Sequence, residues 1–329
     1  MLRYIPTPVH PDLVVGVDTG DDAAVWRGPN GRLLVATVDF FTPLVDDART
    51  WGAIAAANAA SDVYAMGARP LFALNVVAWP RERLPLDLLG EVLAGGNDTA
   101  AAGGWIVAGG HTVDGEEPLY GQAVIGEVEE ADLLTNQGGR SGQALVLSKA
   151  LGTGIVATAT KRLEAAAVAS GGRLHGPYRQ AVASMIRLNA EAAAVARVGG
   201  ATAATDITGF GLVGHLAKVA AGSGLGVRIE LARLPVLEGV VELIGEGFVP
   251  GGTARNLAAV QASLRWANPA DRPTWEALVA DPQTSGGLVF SLAADRADQA
   301  VEQLRASGHD AARIGTLTGD LDAGIIELF

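Results

Sequence analysis

The 329-residue chain contains no cysteine. Disulfides, thiolate nucleophiles and cysteine-based zinc sites are therefore excluded. Lysine is scarce as well: Lys149, Lys161 and Lys218 are the only three, and none precedes residue 149. Positive charge runs short overall, with 24 Lys and Arg against 36 Asp and Glu. The resulting net charge of −12 argues against general binding to nucleic acid or to an anionic membrane. It does not argue against ATP, whose phosphates a metal and backbone amides can neutralise locally. No apolar run is long enough, or free enough of polar residues, to span a bilayer. The opening stretch MLRYIPTPVHPDL lacks the basic-then-apolar pattern of a signal peptide, so the expected compartment is the cytoplasm. Two nucleotide fingerprints are missing too: the P-loop G-x-x-x-x-G-K-[ST], and a G-x-G-x-x-G in a dinucleotide-binding context.

What is present fits a two-domain globular protein with an ample core, given the length and a 49% hydrophobic share. The stretch WGAIAAANAASDVYAMGARP, residues 51–70, is mostly alanine or bulky apolar residues and predicts a helix buried on most sides. Asn58 and Asp62 interrupt it, four residues apart and so on one stripe. A lone carboxylate in such a setting costs several kcal/mol unless something pairs with it. A solvent-facing or capping Asp62 would be the ordinary explanation. Three further segments also set Asp beside glycine or small residues: GDDAAV (20–25), TVDFFTP (37–43) and ATDITGFG (204–211). Several carboxylates without cysteine or clustered histidine suit a hard, oxygen-liganded cation, above all Mg²⁺ carrying a phosphorylated substrate.

Along the chain, 13–26 reads as strand, Gly-containing loop and strand, with Asp21 and Asp22 in the loop. LLVATVDFFTP is β-rich and carries Asp39 near its end. The Asp62 helix, a strand LFALNVVAW, a helix around 85–103 and a strand WIVAGG follow, then His111 with a loop holding Glu116 and Glu117, then a strand YGQAVIGEV. Counted as β-β-α-β-α-β-β, this half lacks strict alternation and predicts α+β with a mixed sheet. The polar, Gly-rich stretch 131–143 marks a boundary, giving domains 1–138 and 139–329. The second half predicts a strand ALVLSKALGTG, whose Gly-flanked turn leads into a helix near 154–162. A Gly-rich loop at 163–176 with part of that helix is expected next, then one amphipathic helix over 177–198. A helix at 211–221, a strand at 225–230 and an irregular region through about 270 come next. A loop DPQTSGG running into a strand, a helix at 295–307 and two short strands finish it.

AGGHTVDGEEP offers Gly109, Gly110 and His111 as a nucleotide contact, although a lone histidine is usually structural. In ATDITGFGLVGH, Asp206 precedes a Gly-rich turn, and Gly209, Gly211 and the helix N-terminus suggest an anion nest. DPQTSGG reads equally well as a ligand loop or as a tight turn before a strand.

Taken together, GDDAAV, TVDFFTP, NAASDVYAMGARP, AGGHTVDGEEP, SKALGTG, ATDITGFGLVGH, PGGTARN and DPQTSGG resemble selenophosphate synthetase over nearly the whole chain. Looser forms of some occur in thiamine-monophosphate kinase and aminoimidazole ribonucleotide synthetase; GGHT with its EP tail, PGGTARN and DPQTSGG discriminate. The resemblance implies a two-domain α+β/α/β fold of the aminoimidazole ribonucleotide synthetase type, with an N-terminal mixed sheet contributing to a dimer barrel and a C-terminal α/β domain. It implies a homodimer that converts ATP, selenide and water to selenophosphate, AMP and phosphate with Mg²⁺. Position by position, Asp22, Asp62 and Asp206 match magnesium ligands, and Thr19, Gly20, Asp21, Asp39, Asp62, Gly109, Gly110 and His111 match ATP contacts.

One departure stands out. The family carries, ahead of the region matching Pro11–Val17, a Gly-rich segment with a Cys or selenocysteine and a lysine three residues on. This chain has neither, so no catalytic residue is assigned. A shortened form, a start codon assigned too late, or a different activity would account for it. The expectation is a selenide, water dikinase whose given chain binds ATP but makes little selenophosphate. The alternatives are an ATP-binding homologue serving as a regulatory or partner subunit and, more weakly supported, a small-molecule kinase of the thiamine-phosphate type.

Overall fold

The computed structural model describes residues 7–163, 165–267 and 270–329. The signal-peptide reading falls partly on residues 1–6, and the readings of 163–176 and of the region to 270 each include a position outside the described residues. The chain divides into two units, 1–135 with 186–193, and 136–185 with 194–329.

In the first unit β1 (Leu13–Val15), β2 (Ala24–Arg27) and β3 (Leu33–Phe41) precede α1 (Ala48–Ala65). Then come β4 (Arg69–Trp79), α2 (Leu86–Gly103), β5 (Ile106–Asp114) and β6 (Leu119–Val128). Three strands, not two, therefore lead into the first helix. The sheet order is β1-β2-β3-β6-β4-β5. β4 and β5, joined by the α2 crossover, are parallel, and the other pairs are antiparallel, so the sheet is mixed. His111 lies inside β5 and not in the loop after it.

α1 starts at Asp47, whose carboxylate accepts the Thr50 N–H at 2.7 Å. Every residue from Ile54 to Ala65 is buried, as a helix apolar on all sides requires. Small residues permit this by letting α2 approach closely. A Cβ on Gly52 would run into the Val92 carbonyl, and one on Gly95 into the Arg49 carbonyl.

The second half of the chain holds β7 (Ala144–Leu147), α3 (Thr153–Arg162) and α4 (Ala165–Val168), then α5 (His175–Ile186) and α6 (Ala190–Val198), of which residues 186 and 190–193 belong to the first unit. Next are β8 (Ala203–Asp206), α7 (Gly211–Gly222), β9 (Gly226–Ile229), α8 (Val240–Gly245), α9 (Gly251–Val260), β10 (Leu264–Trp266) and α10 (Arg272–Val279). The chain closes with β11 (Leu288–Leu292), α11 (Ala297–Ala306), β12 (Ala312–Thr318) and β13 (Ile326–Leu328). The sheet order is β10-β13-β9-β12-β7-β11-β8. Strands β7, β8 and β11 are buried at every residue, matching their unbroken small and apolar runs.

Two expectations need correction. The single helix over 177–198 is broken at 187–189. Asn189 is buried, donates to Ser61 Oγ at 2.8 Å, and opens α6 through its carbonyl, a position that asparagine favours. The region taken as irregular contains α8, α9 and β10. PGGTARN opens α9 with poor helix formers, so local propensity concealed a helix that tertiary packing supports.

Gly52→Ala and Gly95→Ala should each destabilise the protein by about 1–3 kcal/mol, because the new methyl meets backbone that cannot yield. Gly90→Ala, in the same α2 helix but facing open space, should stabilise by about 0.5–1 kcal/mol through helix propensity. Urea midpoints of the three variants check this, and a uniform effect at all three positions would contradict it.

Candidate functional site

In the first unit a strand period and a helix period are matched. Residues two apart on a strand are about 6.8 Å apart, and residues four apart on a helix rise by about 6 Å. Thr37 and Asp39 on β3 thus face Asp62 and Asn58 on α1 in crosswise pairs. Thr37 Oγ1 donates to Asp62 Oδ2 at 2.5 Å, and Asn58 Nδ2 donates to Asp39 Oδ2 at 2.7 Å. Burial raises the Asp39 carboxyl above its ordinary value, while the Asn58 hydrogen bond pulls it back down. Each carboxylate that sequence singled out here has a neutral donor on the opposite element.

The register extends this polar row across the sheet. Asp39 pairs with Gln122 on β6, Gln122 with Asn75 on β4, and Asn75 with Gly110 on β5. Asn75 Oδ1 accepts from Gln122 Nε2 at 3.2 Å and from Tyr120 Oη at 3.0 Å. Gln122 is fully buried and its Oε1 has no partner. Gly110 has a φ of 156°, and a Cβ there would collide with the Asn75 backbone. Gly110 therefore shares a row with Asp39, whereas Gly109 and His111 fall on the alternate rows, opposite Leu74 and Val76. Thr19, Gly20, Asp21 and Asp22 occupy the turn between β1 and β2, where Thr19 Oγ1 donates to the Gly16 carbonyl at 3.1 Å.

In the second unit topology does the gathering. β11 lies between β7 and β8 and is antiparallel to both. The segments that leave β7 (SKALGTG) and β8 (ATDITGFG) and the one that enters β11 (DPQTSGG) therefore share one end of the sheet. Backbone bonds tie them together: Gln283 N donates to the Thr208 carbonyl at 3.0 Å and Ile207 N to the Gly287 carbonyl at 2.9 Å. Asn256, from PGGTARN, donates to the Gly209 and Ala280 carbonyls at 2.9 and 3.0 Å. Lys149 is buried and donates from Nζ to the Ser285 carbonyl at 2.9 Å.

DPQTSGG is more than a bare turn before β11, because its side chains cap α3. Gln283 Oε1 accepts from Gly152 N, Thr153 N and Thr153 Oγ1 at 3.0–3.1 Å. Asp281 Oδ2 accepts from Gly154 N at 3.1 Å and Ile155 N at 3.4 Å, and from Gln283 Nε2 at 2.7 Å. A protein carboxylate thus already occupies that helix N-terminus. At the N-terminus of α7, just past Asp206, the N-cap residue Phe210 makes no side-chain cap bond of its own. Asp206 itself is buried. His215, one turn into α7, is fully buried, and burial first, then the nearby Lys218 charge, push its pKa down to about 3.

Sequence reasoning missed Thr37, Asn75, Gln122, Asp281, Gln283 and His215. Thr37 was legible as the residue two before Asp39 on one strand face. The two Gln283 and Asp281 caps join segments about 130 residues apart, which no local pattern reports.

Two family models match the chain: the AIR synthase related protein N-terminal domain over residues 20–128 and the C-terminal domain over 140–326. The selenide, water dikinase of Burkholderia ambifaria is 42% identical over 312 residues, covering 95% of this chain and 86% of that protein. That of Porphyromonas gingivalis ATCC 33277 is 44% identical over 327 residues, covering 98% and 90%. Among solved structures, the hydrogenase maturation protein HypE in complex with ATP superposes with a TM-score of 0.66 at 21% identity, covering 99% of this chain and 88% of HypE. At that identity the superposition shows a common fold.

Burial lifts the Asp281 carboxyl to about 7, against the lowering effect of the Gln283, Ile155 and Gly154 hydrogen bonds. Between about pH 4 and 7 the folded chain then holds a proton that the unfolded chain has released. Stability should fall as pH rises through that window, by at most about 1.4 kcal/mol per pH unit from this group, and level off above it. Asp281→Asn, which cannot titrate, should remove this component. Urea midpoints measured from pH 4.5 to 8 check it, and identical slopes for both proteins would contradict it.

Proposed function

Since the chain belongs to the AIR synthase related family and within it to the selenide, water dikinases, we propose that it makes selenophosphate from ATP, selenide and water, releasing AMP and phosphate. It is a phosphotransferase with ATP as substrate. The observation that carries the site assignment is the crosswise pairing of Thr37 with Asp62 and of Asn58 with Asp39. A neutral donor on each carboxylate orients it without cancelling the charge that would attract a cation.

The proposed magnesium ligands are Asp22, Asp62 and Asp206, whose carboxylates are the donor type Mg²⁺ takes, and the sequence holds no thiolate. When bound, magnesium offsets the phosphate charge that grows during phosphoryl transfer. Thr37 and Asn58 keep the Asp62 and Asp39 carboxylates from rotating toward each other. In this reading the turn at Thr19–Asp22 and the glycine at Gly110 bring backbone close to ATP, whereas Gly109 and His111 lie on the alternate rows of the sheet, away from the Asp39 row. Selenide needs no protein nucleophile, because it is itself the attacking group.

We further propose a homodimer. The outer face of the first sheet carries rows read from the register: Ala36–Ile125–Phe72–Ile106, Val38–Ala123–Leu74–Gly109 and Phe40–Gly121–Val76–His111. Val38, Phe40 and Ile106 are 52%, 51% and 68% exposed, far more apolar surface than one small sheet leaves uncovered without purpose. β5 adds a nine-residue edge strand with nearly every residue exposed. No helix among the described residues is long and apolar enough to cross a membrane.

Asp62→Asn and Asp206→Asn should each weaken magnesium-dependent ATP binding about tenfold or more, as loss of a charged contact on the order of 1–3 kcal/mol requires. Calorimetry giving wild-type affinity for both would refute the metal assignment. The activity itself is read as selenide-dependent AMP formation with the product identified by phosphorus NMR; ATP consumption without a phosphorus–selenium product would refute it. Phe40→Glu with Ile106→Glu should yield a monomer by light scattering where the parent chain is a dimer. A parent chain that is monomeric at micromolar concentration would refute the dimer.

A further inference from the structure

We infer that His215 is a positioning residue for Asp206, acting as a neutral imidazole that fixes the turn Asp206–Thr208. This rests on the reading of Asp206 as a metal ligand. Every hydrogen bond around the ring agrees on one tautomer. The backbone N–H of Thr208 donates to His215 Nε2 at 3.2 Å, so that nitrogen carries no proton. Nδ1 therefore carries it, and faces Thr205 Oγ1 at 3.3 Å. The Thr205 hydroxyl donates to the Asp206 carbonyl at 3.2 Å, which leaves its oxygen to accept from Nδ1–H. The chain of donors thus runs one way, from the His215 ring through Thr205 to the Asp206 backbone, while Thr208 closes the loop from the other side.

The ring touches the residue before Asp206 and the residue two after it, and so spans the carboxylate's own peptide. Thr208 Oγ1 also lies 3.3 Å from Nε2. Both ring nitrogens are engaged by threonines, and a ring nitrogen lies within 4.8 Å of an Asp206 carboxylate oxygen. The Phe210 ring sits 5.7 Å from it, with the Lys218 ammonium 4.9 Å from the far ring, so the whole turn is wrapped onto α7. A ligand backed in this way keeps its direction when the loop breathes, and loss of such backing typically costs about 10–100-fold in metal affinity.

The test has two arms. With ¹⁵N-histidine-labelled protein, His215 (identified by the signal lost in His215→Phe) should show the neutral Nδ1–H pattern unchanged from pH 5.5 to 8. A cationic or Nε2–H pattern would overturn the inference. In the second arm, the magnesium concentration giving half-maximal ATP turnover is measured for His215→Phe, His215→Gln, Asp206→Asn and the double variant Asp206→Asn/His215→Phe, with thermal melts to confirm folding. His215→Phe should raise it about tenfold. His215→Gln, whose amide oxygen reaches the Thr208 N–H, should recover most of that. The double variant should be no worse than Asp206→Asn alone, since one residue acts through the other. Should Asp206→Asn raise the requirement while both His215 variants match the parent, or should the double variant's losses add, the inference fails and Asp206 stands. Should Asp206→Asn itself change nothing, the reading of Asp206 falls and takes this inference with it.

Discussion

Burying a carboxylate is the constraint on which the first unit depends. α1 must be apolar all round to be covered by the sheet and α2, yet it carries Asp62. An ionised group there costs several kcal/mol without compensation, and a full ion pair would neutralise the charge that a metal needs. The solution found is intermediate. A hydroxyl and an amide, Thr37 and Asn58, each give one hydrogen bond and no charge. Each carboxylate thus gains a hydrogen bond from a neutral group. The strand and helix spacings make this possible without strain, because two strand residues and one helical turn cover nearly equal lengths.

The second unit answers the same difficulty through topology. Placing β11 between β7 and β8, antiparallel to both, brings three glycine-bearing segments to one sheet end. Once there, they compete for the same backbone donors. α3 gives its first N–H groups to Gln283 and Asp281, so its N-terminus is spent on structure. α7 begins beside a turn held by His215. Of these two helix starts, each preceded by a Gly-containing turn, one is thus fixed by side chains that reach its N–H groups and the other by a histidine one turn inside the helix.

Legibility followed the range of the interaction. The buried helix 51–70, the Asp39 strand and the acidic turn at 20–22 were readable because each signal is local. So was the mixed sheet, although one strand was lost in counting the order. The α5–α6 break was not readable: 177–198 has a continuous amphipathic pattern, and only the Asn189–Ser61 bond across 128 residues shows why the helix stops. α9 was missed for the opposite reason, its Gly-Gly start hiding a helix held by its packing. Of the site, the aspartates were visible by their chemistry, whereas the neutral partners that keep them usable carry no signal of their own. Thr37 and Gln122 look like any polar residue on a β-strand until the register lines them up.

Charge economy ties these points to the chemistry. The chain is acidic, holds three lysines and no cysteine, and yet belongs to a family that handles a triphosphate and an anionic nucleophile. Its lysines do not make up the deficit within this fold. Lys149 is sunk against the Ser285 carbonyl, Lys218 lies over the Phe210 ring, and Lys161 sits in the last turn of α3, where it complements the helix dipole. Beside its arginines, the proposed site would draw positive potential from sources that sequence composition does not count: a cation held by the aspartates, and backbone N–H groups at glycine turns and helix starts. Such sources are directional, and a misaimed carboxylate or a tilted peptide loses most of its effect. This is why so many residues around the site are neutral donors and acceptors whose task is to hold something else still. In the proposed site, rigidity of the turn at Asp206 and of the Thr37–Asp62 pair is what electrostatic stabilisation of a phosphoryl transfer would ask of the fold.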